Sequence, residues 1–259
     1  MFSKIIAFII VFYTILNGDS VIQSYTNGSI NWSDGTVKAK GLGFSKKQNP
    51  IIAYKMAQRA AKLDAMRNLL EIIGKVKINS DTTIGSKILD DDKVKLHISG
   101  YIQNILNITY NKLDKNSVEA VVTIKMQNTL SDLIQDTSST SSSTFTGNKA
   151  TGLIIDATHL NFVPSLNPKL IQEFSGVLYP DNIFRKDNSK NRFVAIYLKN
   201  IEDAKKHPLI GAFPLVIKAK KIYNDKQDQL VINKENSLKI INELKKDALE
   251  NGQVIIVVK

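Results

Sequence analysis

The chain contains no cysteine. That excludes a disulfide framework, a thiolate zinc site and a thiol nucleophile. It also excludes a lipid anchor carried on an N-terminal cysteine. Arginine is scarce: Arg59, Arg67, Arg185 and Arg192 are the only four, although the net charge is +11. Lysine therefore carries the charge, as hydrated points and not as the bidentate forks that suit phosphate. Aromatic residues make up 7%, with one tryptophan, Trp32. No basic stripe interleaved with aromatics is present, so nucleic acid is not an expected partner. Histidines are three, His97, His159 and His207, too far apart in sequence for a metal signature. No glycine-rich phosphate loop, zinc-protease motif or nucleophile elbow occurs. The adjacent Asp90, Asp91 and Asp92 lack the alternation, glycine and closing glutamate of a calcium loop. The expectation is a protein with no catalytic, cofactor or metal site.

What is present suits a globular protein: 259 residues, 43% hydrophobic and 23% charged. The opening "MFSKIIAFIIVFYTILNGDSV" has a cation, Lys4, and then an apolar run of about 12 residues, the length of a signal-peptide core and too short for a membrane span. Small residues follow, which places cleavage between Ser20 and Val21, with a second option after Gly18. Residues 1–20 are thus expected to be a signal peptide, and the mature chain to reach the periplasm.

Residues 21–135 predict a first α+β domain. Residues 29–32 and 37–44 flank the turn Ser33-Asp34-Gly35 as a hairpin. Gly41-x-Gly43 lacks the third glycine of a dinucleotide fingerprint and predicts a bulge or strand end. Asn49 and Pro50 then open a long helix. Its larger apolar residues, Ile52, Met56, Ala60, Leu63, Met66, Leu70 and Ile73, predict the buried stripe, and Gly74 the C-cap. Arg59, Asp64, Arg67 and Glu71 then fall on the wet side, with Arg67 able to pair with Asp64 or Glu71. A short strand at 76–78, a polar loop, a helix from Asp90–Asp92 to Gly100 and two alternating strands follow.

Composition changes sharply at residues 136–148, "DTSSTSSSTFTGN", which predict a Ser/Thr-rich linker. Residues 149–259 predict a second, mixed α/β domain. Its strands are expected at "TGLIIDAT", "RFVAIYL", "FPLVIKAKKIY", "DQLVIN" and "QVIIVVK", and its helices at "IEDAKKH" and 233–252. The uninterrupted last strand, 254–258, should be central. Asp156 at a strand end has His159 nearby, which raises an acid–base pair and hence a hydrolase. Asp in that position also closes turns by accepting backbone amides.

The run Arg59-Ala60-Ala61, Asp64-Ala65, Arg67-Asn68-Leu69-Leu70-Glu71, following "INWSDGTVKAKGLG", resembles the N-terminal domain of bacterial flagellar assembly protein T. It is similar, too, to the twenty-kilodalton membrane-associated lipoprotein family. "TGLIIDATHLNFVPSLNPKL" and "KKHPLIGAFPLVIKAKKIY" resemble the region that follows in longer members. The resemblance implies an exported, non-enzymatic component of the cell envelope, in the periplasm or at the inner face of the outer membrane. Envelope or flagellar basal-body proteins would be its partners, and Arg59, Asp64, Arg67, Asn68, Glu71 and Asp156 its scaffold residues. The lipoprotein members need a lipidated cysteine, so no direct lipid anchor is expected here. The positive charge keeps a second class open: a binder of an anionic envelope polymer, lipopolysaccharide or acidic glycan.

Overall fold

The computed structural model describes residues 20–103, 105, 107–130, 145–180, 183–184 and 193–259. Of the expected signal segment only Ser20 falls within them, and of the expected linker only residues 145–148. The class is α+β.

The first half is a five-stranded antiparallel sheet of order β1-β2-β3-β5-β4 with a long helix on one face. Its strands are β1 (Ile22–Tyr25), β2 (Gly28–Asn31), β3 (Thr36–Phe44), β4 (Ile108–Lys112) and β5 (Ser117–Lys125). The expected hairpin is β2–β3, turned at Gly35, whose φ of 68° suits glycine. Gly41 and Gly43 are not a bulge. They lie inside β3, whose register with β5 runs unbroken from Thr36 to Phe44.

Those glycines set the depth at which the helix docks. Helix α1 (Pro50–Gly74) opens as expected, with the Asn49 side chain accepting from Ile51 N and Ile52 N. Its buried residues are Ala53, Ala57, Ala61, Ala65, Leu69, Ile72 and Ile73. This corrects the expected stripe, of which only Ile73 is fully buried. Ile52, Met56, Leu63 and Leu70 face water instead. A Cβ on Gly41 would lie 2.0 Å from Ala65 N, and one on Gly43 2.0 Å from Ala57 O. The helix backbone rides directly on the strand, and only alanine fits the gap. Gly74 is helical and not a left-handed cap; Lys75 ends the helix at φ −84°.

Two helices follow, not one. The expected polar loop holds α2 (Ile84–Asp90), capped by a reciprocal pair of hydrogen bonds between Thr83 and Ser86. Asp91, in extended conformation, interrupts the helix and accepts from Lys93 N at 2.8 Å, starting α3 (Asp92–Gln103), which continues past Gly100. The expected strand at 76–78 is a single bridge, Lys77 to Thr83. A short helix, α4 (Met126–Leu130), leaves β5.

The second half holds two four-stranded sheets. One is fully parallel, in the order β10-β6-β13-β9, from β6 (Gly152–Asp156), β9 (Ile196–Leu198), β10 (Pro214–Lys218) and β13 (Val254–Val257). The last strand is central and wholly buried, as its apolar run requires. One face packs on the main core. The other covers a smaller cluster of Ile154, Leu198, Ala204, Ile210, Ile255 and Val257, beneath helix α5 (Ile201–Lys206). The mixed sheet runs β11-β12-β7-β8, from β7 (Lys169–Gln172), β8 (Gly176–Tyr179), β11 (Lys221–Tyr223) and β12 (Lys226–Ile232). So "FPLVIKAKKIY" gives two strands in different sheets. The last expected helix is also split, into α6 (Lys234–Glu243) and α7 (Lys246–Glu250). The split lies where Leu244 and Lys245 turn extended and Ala150 pairs in: Ala150 N donates to Glu243 O and Lys245 N to Ala150 O.

The halves share a core. Trp32 packs edge-on against Tyr197 at 5.9 Å, and Phe162 lies 5.9 Å from the same ring. Backbone bonds cross as well: Leu166 N donates to Lys77 O and Asn167 N to Ile78 O, both at 2.9 Å.

Candidate functional site

The charged motif on α1 is the first place to look for chemistry. Strand β3 outruns β2: its pairing with β2 ends at Ala39, and Lys40 N reaches Asn27 O just beyond. From there the strand has backbone groups with no neighbouring strand, which must find other partners. The helix supplies them. Asp64 Oδ2 accepts from Leu42 N at 3.0 Å, and Asn68 Nδ2 donates to Lys40 O at 2.7 Å. One carboxylate and one amide, one helical turn apart, replace the missing strand. Neither is simply solvated, which corrects the expectation for Asp64.

The other motif residues are conventional. Arg67 lies 4.0 Å from Asp64 and its side chain is 79% exposed. Glu71 pairs with Lys75 at 2.7 Å and not with Arg67. Arg59 is exposed. Such surface pairs contribute about 0–1 kcal/mol each.

An open cleft of about 440 Å³ lies where the β1–β2 turn meets the last turns of α1, lined by Tyr25, Asn27, Asn68, Glu71 and Lys75. Lys75 Nζ sits 4.8 Å from the Tyr25 ring centroid. Burial pushes the Tyr25 hydroxyl pKa up, and the Lys75 charge draws it partly back. The cleft offers hydrogen bonds and an internally paired charge.

Asp156 ends β6 and closes a turn. Its Oδ1 accepts from Thr158 N at 3.0 Å and Thr158 Oγ1 at 2.7 Å. His159 is exposed and is not among these partners. His207 is half-buried far from both in sequence; its Nδ1 accepts from Leu209 N at 3.2 Å. Among the described residues no group of three His, Asp or Glu side chains could hold a metal ion. Nor is any helix there long and apolar enough to cross a membrane. Ser20 and Val21, which flank the expected cleavage point, both belong to the fold. Ser20 bridges Leu198, Val21 N donates to Ser33 Oγ at 2.9 Å, and Trp32 N donates to Val21 O.

Sequence reasoning missed a polar knot between the halves. Asp228, 1% exposed, accepts from Ser165 Oγ at 2.9 Å and from Ser80 Oγ. Tyr197 Oη donates to Ser165 O at 2.6 Å, and Ser33 Oγ donates to Tyr197 O at 2.6 Å. Burial drives the Tyr197 hydroxyl pKa far above its usual range; the Asp228 charge adds to this, and the Ser165 bonds oppose it. The only sequence signal was an Asp and two Ser residues flanked by strand-like runs, which is too common to single out.

Residues 152–259 match a family model described as the second domain of Treponema pallidum Tp0624. That stretch begins with β6 and includes both sheets of the second half. No curated protein matches the chain. Neither comparison supports the likeness of the first half to flagellar assembly protein T.

Proposed function

We propose that the chain is an exported, non-enzymatic protein of the cell envelope that acts as a structural or assembly component. The observation that carries this reading is the use made of the motif. Asp64 and Asn68 are spent on the backbone of β3, and Glu71 on Lys75, so the most distinctive residues build a surface and leave no reactive group. Two further features support it. The apolar leader reads as an export signal, and the second half resembles one domain of a protein built from more than one. The finer reading, an assembly factor of the flagellar basal body, follows from the resemblance of the α1 motif.

Deletion of the gene tests both levels. The basal-body reading predicts loss of motility with incomplete basal bodies. Full motility with normal basal bodies removes the flagellar reading, and a leaky envelope in the same strain would keep the structural one. The anionic-polymer reading draws on the charge of +11. It predicts binding to lipopolysaccharide that weakens steeply between low and physiological salt.

A further inference from the structure

The outward side of α1 carries a second apolar row, back to back with the buried alanines. Ile52, Met56, Leu63 and Leu70 are 50%, 48%, 58% and 40% exposed. With exposed Arg59 and half-buried Met66 they follow one another at alternating steps of four and three residues. At 100° per residue this keeps the row within a narrow stripe along the 25-residue helix. That is the width of a coiled-coil seam, whereas a helix lying on a core or bilayer shows a face wider than about 100°. Large apolar side chains on the outside and alanines on the inside also reverse the usual economy of burial.

The charges beside the row are of one sign. Lys55, Lys62 and Arg67 flank it and Arg59 lies within it. The two acids of the helix are already engaged, Asp64 by the Leu42 amide and, at 4.0 Å, by Arg67, and Glu71 by Lys75; Lys55, Arg59 and Lys62 have no acid of the helix left to them. A second copy of the chain is therefore a poor occupant. An antiparallel pair centred on Ala61 would bring the two copies' Lys62 side chains together, and a parallel pair would set Lys62 against Arg67 and Arg59 against itself. An occupant with acidic flanks suffers neither penalty.

We infer that the outer face of α1 docks an amphipathic helix of a partner protein, one with an apolar row bordered by glutamate or aspartate. This deepens the assembly reading and rests on it for its biological sense, but it can be tested without reference to export or motility. The probes are two synthetic heptad peptides with leucine along the seam, one flanked by glutamate and one by lysine, titrated against the purified full chain. The glutamate peptide should bind, more weakly as salt rises, and the lysine peptide should not. Leu63→Glu should weaken binding at least tenfold at unchanged melting temperature, because its side chain supports no core. Arg59→Glu should shift the preference toward the lysine peptide. Equal binding of both peptides, binding of neither, or full binding by Leu63→Glu overturns the inference. So does Leu63-dependent binding to phosphatidylglycerol vesicles, which assigns the face to lipid, or Leu63-dependent dimerisation, which assigns it to a second copy.

Discussion

Single side chains decide two points of stability. His207 caps the turn at Pro208–Ile210 through Nδ1, an acceptor it keeps only while neutral. Burial holds its pKa below the ordinary 6.5. A histidine whose folded pKa is depressed binds fewer protons in the native state. Its stabilisation is present above the unfolded value of about 6.5 and is lost as pH falls through the lower folded value. Melting temperature should therefore drop more on acidification from pH 7.5 to pH 5 in the wild type than in His207→Asn, which keeps a capping acceptor without a titrating ring. Equal drops would remove His207 from the acid response. Tyr197→Phe removes the hydroxyl that donates to Ser165 O and accepts from Ser165 N. With these groups buried, denaturant titration should show a loss of about 1–3 kcal/mol.

At the scale of elements, the pairing of α1 with β3 is the device on which the first half depends. Gly41→Ala or Gly43→Ala drives a methyl into helix backbone that cannot yield as a flexible side chain would. A loss of about 3 kcal/mol or more is expected in denaturant titrations. Asp64→Ala and Asn68→Ala expose groups that water can partly reach, so each should cost only about 1 kcal/mol. The helix itself was legible in the sequence from Asn49, Pro50 and its periodicity. Its buried face was not, because large apolar side chains ordinarily mark the buried side of a helix. The corrective signal lay in two places at once: alanines at 53, 57, 61 and 65, and glycines alternating at 41 and 43. Read together they predict a close helix–strand approach, which large residues would prevent. The central placement of β13 was legible, since an unbroken apolar strand needs cover on both faces. The splitting of the last helix was not, because its cause, pairing with Ala150, is a distant contact.

At the scale of the molecule, the two halves read from the sequence as separate units are stitched by Trp32, Ser33 and Ser80 on one side and Ser165, Tyr197 and Asp228 on the other. None of these residues has a local pattern that announces its partner. Trp32 reports on the seam directly, being 4% exposed and packed on Tyr197. Its emission should shift to the red in the same thermal transition that removes the far-ultraviolet dichroism. In Asp228→Ala, where Ser80 and Ser165 lose their shared acceptor, the tryptophan transition should come first. An unchanged, coincident pair of transitions in that variant would deny the knot its role in joining the halves.

The candidate site was legible in part. The residues of the α1 motif were found from sequence, and their task, standing in for a strand, required knowing where β2 stops. On the proposed reading the protein works by its surfaces, outside the cytosol. The most direct measurement is fractionation of the native host followed by N-terminal sequencing of the recovered chain. The account predicts a processed periplasmic protein beginning at Val21, or at Asp19 if the second cleavage option is used. A full-length chain beginning at Met1 and confined to the cytoplasm would contradict it.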